Sequence, residues 1–189
     1  MKKKNKEFAI QTNLTSEDIR NIRNKLKLTQ LEFGDLCSVS KRTVEKWETS
    51  ETLIKGPIVS LIRMLELDPD FAKKMLIPNQ TYPLRMIYMF KQSICTIIDV
   101  DERKREIMIK NFIDNPIYRA FGVNEEPDFE DYEKFLESRC FPRERDMMKL
   151  ELRELDIPFY DPLMIVEKTN GRMAEDQFWL KIERIIIYD

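Results

Sequence analysis

The sequence has no histidine, and only three cysteines and four glycines among 189 residues. Without histidine there is no Ser-His or Cys-His nucleophile pair, no imidazole metal ligand and none of the usual neutral-pH general bases. Cys37, Cys95 and Cys140 are odd in number and far apart, which fits neither a disulfide framework nor a zinc knuckle; they read as buried thiols. Gly34, Gly56, Gly122 and Gly171 have no spacing that would cradle a phosphate. No apolar run reaches membrane-spanning length, and the opening MKKKNKEFAIQTN leads into polar sequence instead of a signal core. The expectation is a cytoplasmic, non-enzymatic protein with no cofactor and no metal.

What is present is charge, unevenly placed. Through Pro78 the chain holds 15 Lys and Arg against 11 Asp and Glu, and the remainder holds 17 against 23. A mildly basic front half suits phosphate contacts, while the acidic back half argues against DNA wrapping along the whole length. The pattern changes at the same place. Helical periodicity dominates to about Met75, IPNQTYP follows with two prolines, and β-rich runs begin at Leu84. The fold class expected is α+β: a basic arm over 1–15, an all-helical domain over 16–77, a linker over 78–83, and a small domain over 84–189 with an antiparallel sheet and packed helices.

In the front half, Thr15 or Ser16 caps a helix carrying Ile19, Ile22 and Leu26. Thr29 followed by Glu32 is a capping box opening a short helix with Leu31, Phe33, Leu36 and Cys37 available for packing. Gly34 sits inside that helix at a cost of about 1 kcal/mol against alanine, which close approach of another backbone would explain. After a break at Ser38–Ser40, the run SKRTVEKWETS places Val44 and Trp47 on one side of a helix. Arg42, Lys46 and Thr49 fall on the other side, flanked by Lys41 and Thr43. An outward Arg and Lys on a short helix suit the acceptor-rich major-groove edge of guanine and its neighbouring phosphates. Gly56 and Pro57 open a further helix with Ile58, Val59, Ile62 and Leu65 inward, and Asp68-Pro69 opens a last short one.

Residues Asp18 to Leu76, through TQLEF, SKRTVEKWE, KGP and LIRMLELDP, resemble the Xre-type helix-turn-helix domain of antitoxin repressors, in particular the DNA-binding half of MqsA-like antitoxins. The resemblance implies that Gln30 meets a phosphate and that Ser40, Arg42, Thr43 and Lys46 face the groove of operator DNA. Lys41 beside them completes the expected DNA-binding set. Repressors of this kind bind as two-fold dimers, because two reading helices must meet half-sites about 34–36 Å apart. The sequence departs from the family after Trp47-Glu48, where a glycine is usual and Thr49–Ile54 stands here, and it lacks the zinc-binding front half of MqsA-like proteins.

In the back half, LRMIYMF, ICTIIDV and REIMIKNF read as a three-stranded meander, and QFWLKIERIIIY over 177–188 as a further edge strand whose Ile185, Ile186 and Ile187 need cover. PDFEDYEKFLESRC returns to helical spacing with Phe129, Tyr132, Leu136 and Cys140 on one face. A second helix runs to Leu155, and Asp161-Pro162 opens a third that ends near Gly171. Asp99, Asp101, Glu125, Glu126, Asp161 and Asp176 read as turn, cap or surface residues. Met86, Met89, Met147 and Met148 read as core filler, and Arg139, Arg143 and Arg145 as a solvated helix start.

The order of strands, FLESRCFPRERD and the closing MAEDQFWLKI resemble the small N-terminal subdomain of HipA-like kinases. That resemblance implies an antitoxin whose back half docks on and neutralises a HipA-like kinase toxin while its front half represses the operon. The alternative is a phage-type or plasmid-type regulator, or an anti-defence protein, whose back half dimerises, senses a ligand or binds another protein.

Overall fold

A computed structural model describes residues 9–144 and 146–185. The chain separates after Ile77 into two compact units, Met1–Ile77 and Pro78–Asp189. The fold is α+β: five helices in the first unit, and in the second a four-stranded antiparallel sheet with three helices, counted among the described residues.

The first unit contains α1 (Ser16–Lys25), α2 (Gln30–Leu36), α3 (Lys41–Thr49), α4 (Pro57–Leu67) and α5 (Asp70–Met75). Thr15 with Asp18 and Thr29 with Glu32 form reciprocal capping boxes at the starts of α1 and α2. Ile19, Ile22, Phe33, Val44, Ile62 and Leu65 meet in one apolar cluster, the period of each helix having turned them the same way. Leu14 joins this core with no exposure and pairs through its backbone with Ile54, so the end of the segment assigned to the arm is tied down at this point. The lysines of the arm lie outside the described residues. Leu31 is a correction to the packing expected of α2: it points away from the core and is 56% exposed.

In the second unit β1 (Leu84–Phe90), β2 (Ser93–Asp101) and β3 (Glu106–Asn111) form the meander, and β4 (Phe178–Arg184) pairs with β1, giving the order β3-β2-β1-β4. Helices α6 (Phe129–Ser138), α7 (Met148–Glu154) and α8 (Pro162–Thr169) share a core with the sheet face that carries Leu84, Met86, Tyr88, Ile98, Val100 and Leu180. The last strand ends at Arg184, and Ile185 follows it half-exposed; Ile186 and Ile187 lie outside the described residues. A single 3-10 turn, Pro116–Tyr118, lies between β3 and α6, capped by Asn115, whose side chain accepts from the Ile117 amide.

Residues 78–83 are held on the sheet. Arg85 Nη1 donates to Pro78 O at 2.8 Å, the Thr81 amide donates to Asp99 Oδ2 at 2.9 Å, and Gln80 donates to the carbonyls of Tyr82 and Pro83.

Scarcity of glycine leaves its mark on the helix ends. Lys27, Ser38 and Asp156 adopt left-handed backbone just past α1, α2 and α7, a conformation that glycine takes without cost. Each is held there by paired backbone bonds; past α2, the Ser38 amide reaches Asp35 O and the Val39 amide reaches Gly34 O at 2.8 Å.

Candidate nucleic-acid interface

The turn between α2 and α3 explains Gly34. A Cβ on Gly34 would stand 2.8 Å from Val39 O and 3.4 Å from the Lys41 amide nitrogen, so any side chain would push the turn away. The approaching backbone belongs to the turn folding back over α2. Ser40 then caps α3, its hydroxyl accepting from the Thr43 amide and lying 3.0 Å from the Thr43 hydroxyl.

Orientation of α3 rests on two inward side chains. Val44 has no exposure, and Glu48 is 6% exposed. Trp47, expected to be the second inward anchor, packs against the core while remaining half-buried. Glu48 was not anticipated, because an acidic residue at that position reads as surface. Its carboxylate accepts from Arg23 Nε of α1 at 2.6 Å and from Gln30 Nε2 of α2 at 2.8 Å, while Arg20 donates to the Glu48 carbonyl at 2.8 Å. Arg23 also donates to Leu28 O at 2.9 Å, anchoring the loop that enters α2. One carboxylate thus joins three helices. Burial pushes its pKa up, but the hydrogen bonds from Arg23 and Gln30 and the charges of Arg23 and Arg20 outweigh burial, and the group ends below its ordinary value.

On the opposite side of α3, Arg42 and Lys46 are exposed, and among the described residues their charged groups have no ion pair and no hydrogen bond. Lys41 is exposed as well, with its ammonium 3.3 Å from Glu45 Oε1. The six sequence-derived positions therefore fall into separate situations. Arg42 and Lys46 present uncommitted cations. Lys41 shares its charge with Glu45, Ser40 and Thr43 share their hydroxyls across the cap, and Gln30 gives one amide hydrogen to Glu48 and keeps a second. Beside α3 runs an open groove of about 470 Å³ lined by Arg42, Lys46, Ser50, Thr52 and Lys55. Lys55 was not singled out from the sequence; it follows the loop that departs from the family pattern, whose Ile54 pairs with Leu14 and joins the apolar core.

In the second unit several expectations about the charged residues are corrected. Asp99 is buried at 4% and takes a two-pronged ion pair from Arg85 at 2.6 and 2.7 Å, not a turn or surface role. Arg139, read as part of a solvated helix start, is 6% exposed and donates to Asp176 at 2.6 Å and to the carbonyls of Gly171 and Phe178. Arg143 is exposed and pairs with Glu137; Arg145 lies outside the described residues. Met147 is 74% exposed in left-handed backbone, so it is no core filler, while Met86 is fully buried. Asp161 caps α8 by accepting from the Met164 amide, and Asp101 accepts from the amides of Arg103 and Lys104 in the β2–β3 turn. Burial raises the thiol of Cys37 to about 11 and that of Cys140 to about 12, so both stay protonated at neutral pH. Among the described residues no three Cys, Asp or Glu side chains are placed to share a metal ion, and no helix is long and apolar enough to cross a membrane.

Comparison with known proteins bears on the first unit. Residues 19–63 match the family described as "Helix-turn-helix". Over 64 residues the chain is 38% identical to "Repressor protein C2" of Salmonella phage P22, a stretch that makes up 33% of this chain and 30% of that repressor. The matched family segment runs from the buried Ile19 of α1 into α4, enclosing the α2–turn–α3 assembly. The N-terminal unit of this protein is a helix-turn-helix domain.

Proposed function

We propose that this protein is a sequence-specific, DNA-binding transcriptional repressor that works in the cytoplasm and reads operator DNA through α3 as a two-fold dimer. The observation that carries the reading is the pair Arg42 and Lys46, held outward without partners among the described residues on a helix whose inner side is fixed by Val44 and Glu48. A guanidinium so placed donates two parallel hydrogen bonds to guanine O6 and N7, and Lys46 and Lys55 neutralise phosphates on either side of the groove they line. The second hydrogen of the Gln30 amide points the same role at a phosphate, with Glu48 setting the side chain's direction. Ser40, Lys41 and Thr43 at the front of α3 complete the contact surface. The similarity to a phage repressor supports this reading. Selection of bound duplexes from a random-sequence library tests it: a recurrent palindromic site supports the reading, and enrichment of no sequence overturns it.

The second unit we assign to protein contact. Its resemblance to the small subdomain of HipA-like kinases and its acidic balance favour an antitoxin that docks on such a kinase. The repressor similarity favours instead a phage-type regulator whose second unit serves dimerisation or sensing. Incubating the full chain with the product of the neighbouring gene separates the two. A stable complex with a kinase that loses activity supports the antitoxin role, and a neighbour that is no kinase and does not bind supports the regulator.

A further inference from the structure

The sheet of the second unit has two edges, β4 and β3, and the chain treats them differently. The Phe112 amide donates to Cys95 O at 2.9 Å, so by the alternation of an antiparallel ladder Met108 and Lys110 also turn their backbone groups to β2, while Ile107 and Ile109 turn theirs outward. On β4 the outward groups are covered where the strand begins: the Leu180 amide donates to Asn170 O at 2.7 Å, and Phe178 O accepts from Arg139 at 3.2 Å. On β3, among the described residues, the outward amides and carbonyls of Ile107 and Ile109 have no such partner. Nor does β3 carry a proline or a bulge, two of the usual devices that keep an edge from pairing. Such an edge is a template for another strand.

We infer that β3 pairs antiparallel with β3 of a second copy of the chain, joining the two four-stranded sheets across a two-fold axis at Met108. The inference rests on the repressor reading, which requires a dimer, and names the strand that makes it. A two-fold contact must be self-complementary, and the run Glu106-Ile107-Met108-Ile109-Lys110 is. With Met108 opposite the partner's Met108, Glu106 stands opposite the partner's Lys110 and Ile107 opposite the partner's Ile109. Opposite charges facing across a strand pair stabilise it. The backbone selects the same register. Ile107 and Ile109 are the residues whose amides and carbonyls point outward, so each match between them is a hydrogen-bonded pair, giving roughly four bonds in all. A shift by one residue would set outward groups against inward ones, and a shift by two in either direction would part Glu106 from Lys110. Ile107 and Ile109 pack on the helix side of the sheet, and Met108 lies on the other face, 52% exposed, where the pairing covers it with its own copy. Within one chain Glu106 accepts from the Tyr82 hydroxyl at 3.1 Å and the Lys110 ammonium lies 5.0 Å from the Phe112 ring centre; neither contact uses the outward backbone groups.

The test is the mass of the full chain in solution by light scattering and sedimentation across a concentration series, for the wild type, Met108→Glu, Glu106→Lys, Lys110→Glu and the Glu106→Lys/Lys110→Glu pair, together with disulfide cross-linking of Met108→Cys and Lys110→Cys. Circular dichroism establishes that each variant is folded. The wild type is expected to be a dimer. Met108→Glu, which sets two carboxylates face to face at the axis, should raise the dimer dissociation constant at least tenfold. Each single charge reversal should raise it several-fold, and the paired reversal should recover most of that loss. Met108→Cys should give a disulfide-linked dimer on mild oxidation, because residues facing each other in a non-hydrogen-bonded pair stand about 4.5 Å apart at Cα. Lys110→Cys should not, since four residues of offset put it roughly 14 Å from its own copy. A wild type that stays monomeric, Met108→Glu protein that dimerises within twofold of the wild type, or cross-linking of Lys110→Cys in preference to Met108→Cys overturns the assignment. So does a monomeric wild type whose Ile107 and Ile109 amides gain protection from hydrogen exchange only with the neighbouring gene's product, which would put another protein's strand on this edge. Binding to a single half-site duplex, taken from the selected sequences, keeps the two readings apart: Met108→Glu should retain it, and its absence from the wild type defeats the DNA reading while leaving the cross-link intact.

Discussion

Arg23 of α1 and Glu48 of α3 meet at 2.6 Å across 25 residues of sequence, with the carboxylate 6% and the guanidinium 17% exposed. This pair fixes the angle at which α3 leaves the domain, because the same carboxylate also holds Gln30 at the start of α2. Breaking a buried pair by removing one partner leaves the other charge without compensation.

Glu48→Ala should therefore destabilise the first unit by about 3 kcal/mol, more than Val44→Thr or any exposed position on α3. Denaturant unfolding followed by Trp47 fluorescence in a Trp179→Phe background measures it. A change below about 0.5 kcal/mol, the range of ordinary surface substitutions, would show that the pair does not anchor α3.

The same group sets an acid limit. Its folded pKa lies below its ordinary value of 4.5, so its stabilising effect is complete above that value and is lost as the pH falls through the folded pKa. Unfolding of the first unit should become easier below about pH 4.5, and Glu48→Gln should flatten that dependence while lowering stability at neutral pH. Acid titrations of the two proteins with an identical slope would contradict the assignment.

Ser38 and Gly34 are a matched test of the turn. Ser38 carries a φ of 56°, where a side chain costs about 1–2 kcal/mol relative to glycine. Ser38→Gly should raise stability by about 1 kcal/mol and the melting temperature by a few degrees. Gly34→Ala should lower stability despite alanine's advantage of about 1 kcal/mol in a helix, because its methyl would meet Val39 O at 2.8 Å. Calorimetry of both variants measures this, and a more stable Gly34→Ala protein would mean that the turn does not press on α2.

In the second unit, Asp99→Ala should cost about 3–5 kcal/mol by stranding Arg85, whereas Arg85→Met with Asp99→Leu should recover most of it. Urea unfolding read from Trp179 in a Trp47→Phe background measures both. Equal losses for the single and double variants would indicate that the ion pair itself, not its satisfaction, stabilises the sheet.

Much of this architecture is legible locally. Thr15, Thr29, Ser40 and Asp161 each announce a helix start three residues ahead of the amide they bind, and all four cap as their spacing implies. The richness of LRMIYMF and its neighbours in Ile, Met, Tyr and Phe at strand length likewise carries the meander. What escaped is non-local. Glu48, Asp99 and Arg139 are buried by partners 18 to 39 residues away or at 14 residues across a strand pair, and a charged side chain gives no sign in its own neighbourhood that such a partner exists. The cations of α3 were legible because outward position needs only the helical period. The neighbouring Lys55 was not, because it arrives through a loop.

The most direct measurement is binding of wild-type, Arg42→Ala and Lys46→Ala protein to the selected duplex and to random duplex over a range of salt. Arg42→Ala should weaken the selected duplex by about 1–3 kcal/mol, relax preference at one base pair and leave random duplex nearly unchanged. Lys46→Ala should weaken both duplexes alike and reduce the salt slope by about 1. Equal losses on both duplexes for both variants, or no loss for either, would contradict a reading helix at Lys41–Thr49.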